Sequence, residues 1–182
     1  MKGTIFLAAF AALLLVLPVL FTTSNAEAAG SQHAFGFNSA NISGFPNGSA
    51  ARLTGGGAYN IATGFVKSAG GFRCTSDVTQ GPLNGCKTGE GVRWDTEELL
   101  DTVPGNGFKC TGGAAEPFKN VQTSADTVVL TADFYRASDG NDESFTALMI
   151  VSTEDIAPDI TGIQNVWIQG VGCGHAVVSF SN

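Results

Sequence analysis

Near the C-terminus, Cys173 and His175 supply the ingredients of a nucleophilic cysteine. Residues two apart in a strand face the same way, and a thiolate beside an imidazole is an activated nucleophile. No third residue in the sequence stands out to orient the imidazole, and Cys173 has a competing use. The chain holds four cysteines, Cys74, Cys86, Cys110 and Cys173. An even number in an exported chain reads as two disulfides. We expect Cys74–Cys86, which would close the Gly- and Pro-containing loop between them, and Cys110–Cys173. An echo threatens that pairing: Gly71-Phe72-Arg73-Cys74-Thr75 recurs as Gly107-Phe108-Lys109-Cys110-Thr111. If the two segments were neighbouring strands, Cys74 could bridge to Cys110 instead. Zinc is a poor rival, because there is no C-x-x-C pair and only two histidines exist. No metal site and no cofactor is expected.

Carboxylates are the other source of chemistry. Asp133, Glu97, Glu98 and Glu116 could supply a pair for glycoside cleavage. Asp133 is the most interesting, because it interrupts an apolar strand beside Phe134, Tyr135 and Arg136. Pointing into a barrel or cleft, Asp133, Tyr135 and Arg136 would form a ligand-binding cluster. Pointing outward, Asp133 is a surface residue. The acidic stretch 139–143 offers oxygen ligands at alternate positions, as calcium loops do, but lacks the length and distal glutamate of an EF-hand. A solvated hairpin tip explains it as well. The glycines at 55–57 and 170–174 lack the strand-and-long-helix setting of a phosphate loop; twisted or barrelled sheet explains them. Trp167 reads as core. Asn41-Ile42-Ser43 and Asn47-Gly48-Ser49 are glycosylation sequons, of use only in a host that modifies them.

These residues need a frame. Gly is abundant, with 24 residues, and long helical periodicity is absent. Short apolar runs alternate with Gly, Asn, Asp and Ser clusters, the pattern of antiparallel β structure. Val128, Leu130, Ala132 and Phe134 fall on one face of a strand, with Val129, Thr131, Asp133 and Tyr135 on the other. After a polar turn, Phe145, Ala147, Met149 and Val151 resume one face of a second strand. With apolar residues on both faces, this hairpin is expected to be central rather than at an edge. The last strands fall at 166–169 and 175–180, and a first strand within 31–51. Asp95 three residues before Glu98, with Trp94 and Leu99 as a hydrophobic staple, predicts a short helix over 96–101. The expected fold is all-β: an antiparallel barrel of about eight strands, or a β-sandwich, with one short helix and two disulfides.

The N-terminus sets the compartment. Lys2, an apolar run over 5–21 and the small-x-small exit at 26–28 read as a signal peptide cleaved after Ala28. Residues 29–182 then form a single β domain, secreted or held in the cell envelope, with no membrane attachment after cleavage. The net charge of −7 argues against nucleic acid as a partner, because the chain repels phosphate backbones.

Several blocks resemble those of a family of exported bacterial proteins with no assigned activity. They are Gly55-Gly56-Gly57-Ala58-Tyr59-Asn60, Gly70-Gly71-Phe72-Arg73-Cys74, Gly91-Val92-Arg93-Trp94, Ala132-Asp133-Phe134-Tyr135-Arg136 and the run from Gln164 to Gly174. The resemblance spans most of the chain from Gly55 onward and implies export, not a chemistry. The stretch 55–72 also looks like the glycine-rich hairpins of dirigent and allene-oxide-cyclase-like barrels, a likeness of fold alone. The functions expected are a non-catalytic domain binding a small apolar ligand or an envelope component, a small extracellular hydrolase or lyase, or a structural or protein-interaction domain.

Overall fold

Period-two alternation of apolar residues drives the chain into strands, and the computed structural model shows eight of them. It describes residues 30–45, 50–136 and 144–182. In order they are β1 (His33–Ser43), β2 (Ala50–Asn60), β3 (Phe65–Cys74), β4 (Gly91–Leu100), β5 (Thr127–Arg136), β6 (Ser144–Ser152), β7 (Val166–Ile168) and β8 (Gly172–Ser181). Each pairs antiparallel with the next, and β8 returns to β1 through Ala34↔Ser181 to Ile42↔Gly174. The result is a closed up-and-down barrel, which leaves no sheet edge for the β5–β6 hairpin to occupy.

Inward positions carry the large side chains. Phe35, Phe37, Leu53, Tyr59, Phe72, Trp94, Phe134 and Met149 belong to one buried interior cluster. The expected inward row of β5, Val128, Leu130, Ala132 and Phe134, lies in it. Aromatic rings meet across the barrel: Phe72 stands edge-on to Phe134 at 5.6 Å, and Phe37 lies 6.1 Å from Trp94. The glycine clusters have a specific reason here. Gly55 and Gly70 are cross-strand partners, and a Cβ on either would collide with the Trp94 indole. Their bare backbones form the seat of that ring, whose Nε1 donates to the Thr54 carbonyl at 3.1 Å.

A second apolar layer lies outside the barrel. Val129 and Ile150, on the outward faces of β5 and β6, pack with Val103, Phe108, Ile156 and Trp167. The β4–β5 and β6–β7 connections supply this cover. Trp167 is core, as expected: it is 4 % exposed and donates from Nε1 to the Lys109 carbonyl at 2.9 Å.

Both disulfides join the expected partners, Cys74–Cys86 with Cα atoms 6.3 Å apart and Cys110–Cys173 at 4.8 Å. Two such bridges fit an oxidising compartment. The repeated Gly-Phe-x-Cys-Thr segments are not neighbouring strands in similar surroundings. Phe72 faces the barrel interior on β3, whereas Phe108 sits in the outer layer, in a loop with a single bridge to Lys119.

The short helix expected over 96–101 is corrected. β4 runs unbroken from Gly91 to Leu100, and no helix occurs among the described residues. Trp94 packs into the barrel rather than across a helical turn. Ladder pairing with β5, from Val92↔Arg136 to Leu100↔Val129, outweighs the local capping pattern. The ladder shifts register between Thr96 and Glu98, so the Asp95–Glu98 spacing marks a bulge.

Candidate functional site

The site begins where a ladder stops. β3 starts at Phe65, but its pairing with β4 runs only from Arg73↔Gly91 to Ala69↔Asp95. Beyond that point β4, bulged between Thr96 and Glu98, pairs with β5 alone, and residues 65–68 pair with β2 alone. Side chains take over where the backbone ladder ends. The Ser68 and Thr96 hydroxyls bond each other, and Thr96 Oγ1 also donates to the Ser68 carbonyl at 3.1 Å.

A cavity of about 780 Å³ opens at this gap. Its walls come from both faces of the sheet, as a break in the wall requires. Val66, Ser68 and Thr96 belong to inward rows, while Ala58, Phe65, Lys67, Ala69 and Asp95 belong to outward ones. The lining is mainly apolar, and Phe65 is 46 % exposed at its mouth. The glycines Gly56 and Gly57 thin the β2 wall. A Cβ at Gly56 would strike the Phe35 carbonyl, and one at Gly57 the Lys67 carbonyl. The close approach of β1 and β3 to β2 beside the opening therefore depends on glycine at both positions.

Asp95 joins this cleft to the carboxylates singled out in the sequence. Asp95 and Asp133 are direct cross-strand partners on the outside of the wall. Like charges in that arrangement repel. The Tyr135 hydroxyl donates to Asp95 Oδ1 at 3.1 Å. That bond, followed by burial and the bond to Asp133, raises the phenol to about 12. The phenol is thus held as a donor that tempers the acid pair. Glu97, the extra residue of the bulge, is exposed and accepts from Thr146 Oγ1 at 3.3 Å. Glu98 is exposed.

Asp133 and Tyr135 therefore sit on the outer wall, in the row opposite Ala132 and Phe134, and not inside the barrel. Of this ridge only Asp95 reaches the cleft. The side chain of Arg136, the acidic stretch 139–143, the signal segment and the sequon at Asn47 lie outside the described residues. Asn41, of the other sequon, is exposed and donates from Nδ2 to Ser43 Oγ at 3.2 Å.

The remaining candidates have structural employment. Cys173 is bridged and 2 % exposed, while His175 is exposed, so no thiol–imidazole pair exists. Glu116 clamps the loop that carries Cys110. It accepts from the Cys110 amide at 2.7 Å, the Thr111 amide at 2.8 Å and the Lys119 ammonium at 2.8 Å. Burial pushes its carboxyl up, but Lys119, the Thr111 hydroxyl and the two amides outweigh that and hold it at about 2. Lys119 is raised in turn: burial opposes its charge, and Glu116 and Asp159 more than restore it.

Sequence reasoning missed the cleft and Asp95. The available signal was the glycine triplet facing a second small-residue run, residues 69–71, with one tryptophan to fill only part of the space they leave. No family model, curated protein or solved structure matches this chain, so the functional reading rests on its own geometry.

Proposed function

We propose that this is an exported, non-catalytic domain that binds a small apolar ligand in the cleft between β3 and β4. The observation that carries the reading is the coincidence of a filled barrel and an open wall. Phe35, Phe37, Tyr59, Phe72, Trp94 and Phe134 occupy the interior, which moves any ligand out of the barrel axis. The cleft of about 780 Å³ where the β3–β4 ladder ends is mainly apolar. Its few polar groups, Lys67, Asp95 and the Ser68–Thr96 hydroxyls, would orient what binds. Apolar walls with a few placed polar groups are the ordinary make-up of small-molecule sites. Export follows from the N-terminal pattern and accords with the two disulfides.

A hydrolase or lyase reading has less support, because Asp133 and Tyr135 project from the wall outside the cleft. The test is a fluorescence titration with Nile red, a neutral apolar dye. The protein should enhance and blue-shift its emission, and Ala69→Trp, which fills the cleft from an exposed position, should abolish the response. An unchanged response in that variant would overturn the reading.

A further inference from the structure

The chain has only four arginines, and three of them crowd one patch of the outer wall. Arg52 on β2 and Arg73 on β3 are direct cross-strand partners, and Arg93 on β4 stands opposite Gly71, two residues along. All three are exposed. Directly opposed like charges on a sheet repel, so this arrangement works against the fold. Among the described residues, no carboxylate lies in ion-pair distance of any of the three. The acids flanking Arg93 along the chain accept hydrogen bonds from other groups and lie beyond ion-pair distance of it. Glu90 accepts the Lys87 amide at 2.9 Å, and Asp95 accepts the Tyr135 hydroxyl.

The patch is also concave. Arg52 and Arg73 line a cavity of about 330 Å³ with Thr54, Gly71, Phe72 and Gly91. Gly71 leaves the floor bare beside the Thr54 hydroxyl, whose oxygen lies 3.7 Å from where a Cβ would stand. Two guanidinium forks and a hydroxyl around a shallow bowl match the donors that a tetrahedral oxyanion accepts. In a protein of net charge −7, such a local reversal of sign does not arise from general basicity.

We infer that Arg52, Arg73 and Thr54, with Arg93 beside them on β4, form a binding site for a dianionic tetrahedral oxyanion, of the kind carried by a phosphate monoester. The site is distinct from the apolar cleft and stands whether or not the cleft takes a ligand. A bound anion would sit between the opposed arginines and convert their repulsion into shared attraction.

The test follows the arginine Nε–Hε resonances by NMR while inorganic phosphate is added at constant ionic strength. Millimolar phosphate should shift Arg52, Arg73 and Arg93 together. Arg73→Gln should weaken the response by about tenfold, as expected for the loss of a charge-assisted hydrogen bond. Lys109→Gln, in the β4–β5 connection and outside both cavities, should leave it intact. A second arm measures flotation with phosphatidylcholine vesicles containing phosphatidic acid. Response to phosphate assigns a soluble oxyanion. Response to the vesicles alone, lost in Arg73→Gln, assigns a lipid headgroup. Response to neither, or one that Arg73→Gln leaves unchanged, overturns the site.

Discussion

Outside β5, β6 and β7 the barrel carries a second apolar layer, while outside β8, β1, β2 and β3 the described residues form no such layer and the outward side chains meet solvent. On the covered half, Val129, Ile150 and Trp167 are sealed beneath Val103, Phe108 and Ile156. The Cys110–Cys173 bridge and the Glu116–Lys119–Asp159 clamp pin that cover down. On the bare half, the small outward residues Gly36, Thr54, Gly56, Ala58, Ala69 and Ser179 stand among the exposed Arg52, Lys67 and Arg73, and Val177 is 75 % exposed. One half spends its outward face on stability. The other leaves it to solvent, and both cavities proposed as binding sites open there.

This contrast can be broken by substitution. Trp167→Ala removes the largest side chain of the outer layer and should destabilise by about 3–5 kcal/mol in urea unfolding. Lys119→Met leaves Glu116 buried without its ammonium and should cost about 2–3 kcal/mol, less than a fully isolated pair because Glu116 keeps its amide donors. The same clamp sets an acid window. Glu116 is held at about 2 against a usual 4.5, a depressed pKa in the folded state. Its contribution is therefore complete above pH 4.5 and lost as pH falls through 2. The urea midpoint should drop across that interval, and Glu116→Gln should flatten that part of the profile. On the bare half, Val177→Thr should change stability by no more than about 0.5 kcal/mol. A loss comparable to that of Trp167→Ala would show that something in solution covers this wall.

The legible part of the molecule is the part in which local pattern and tertiary role agree. The alternation over 128–135 and 145–151 marks two central strands because one face of each fills the barrel and the other meets the outer layer. The Cys74–Cys86 pairing was favoured because partners twelve positions apart close a short loop, and Cys110–Cys173 follows from it; the Gly-Phe-x-Cys-Thr echo had kept Cys74–Cys110 open. The segment around Trp94 was misleading. Its helix-capping pattern is local, and the forces that make it a strand are distant: an indole seated on Gly55 and Gly70, and a ladder to β5. The cleft was invisible for a related reason. It depends on where the β3–β4 ladder ends, a register that no single segment encodes. Asp133 and Tyr135 were correctly placed on one face, but only barrel closure decides that this face is the outer one.

The central claim is that the open wall at β3–β4, and not the covered half, receives a ligand. Hydrogen–deuterium exchange with and without saturating decan-1-ol tests it most directly. The account predicts slowed exchange confined to residues 56–58, 65–69 and 95–96, with residues 104–118 and 167–170 unchanged. Protection centred on the latter segments, or none anywhere, would contradict it.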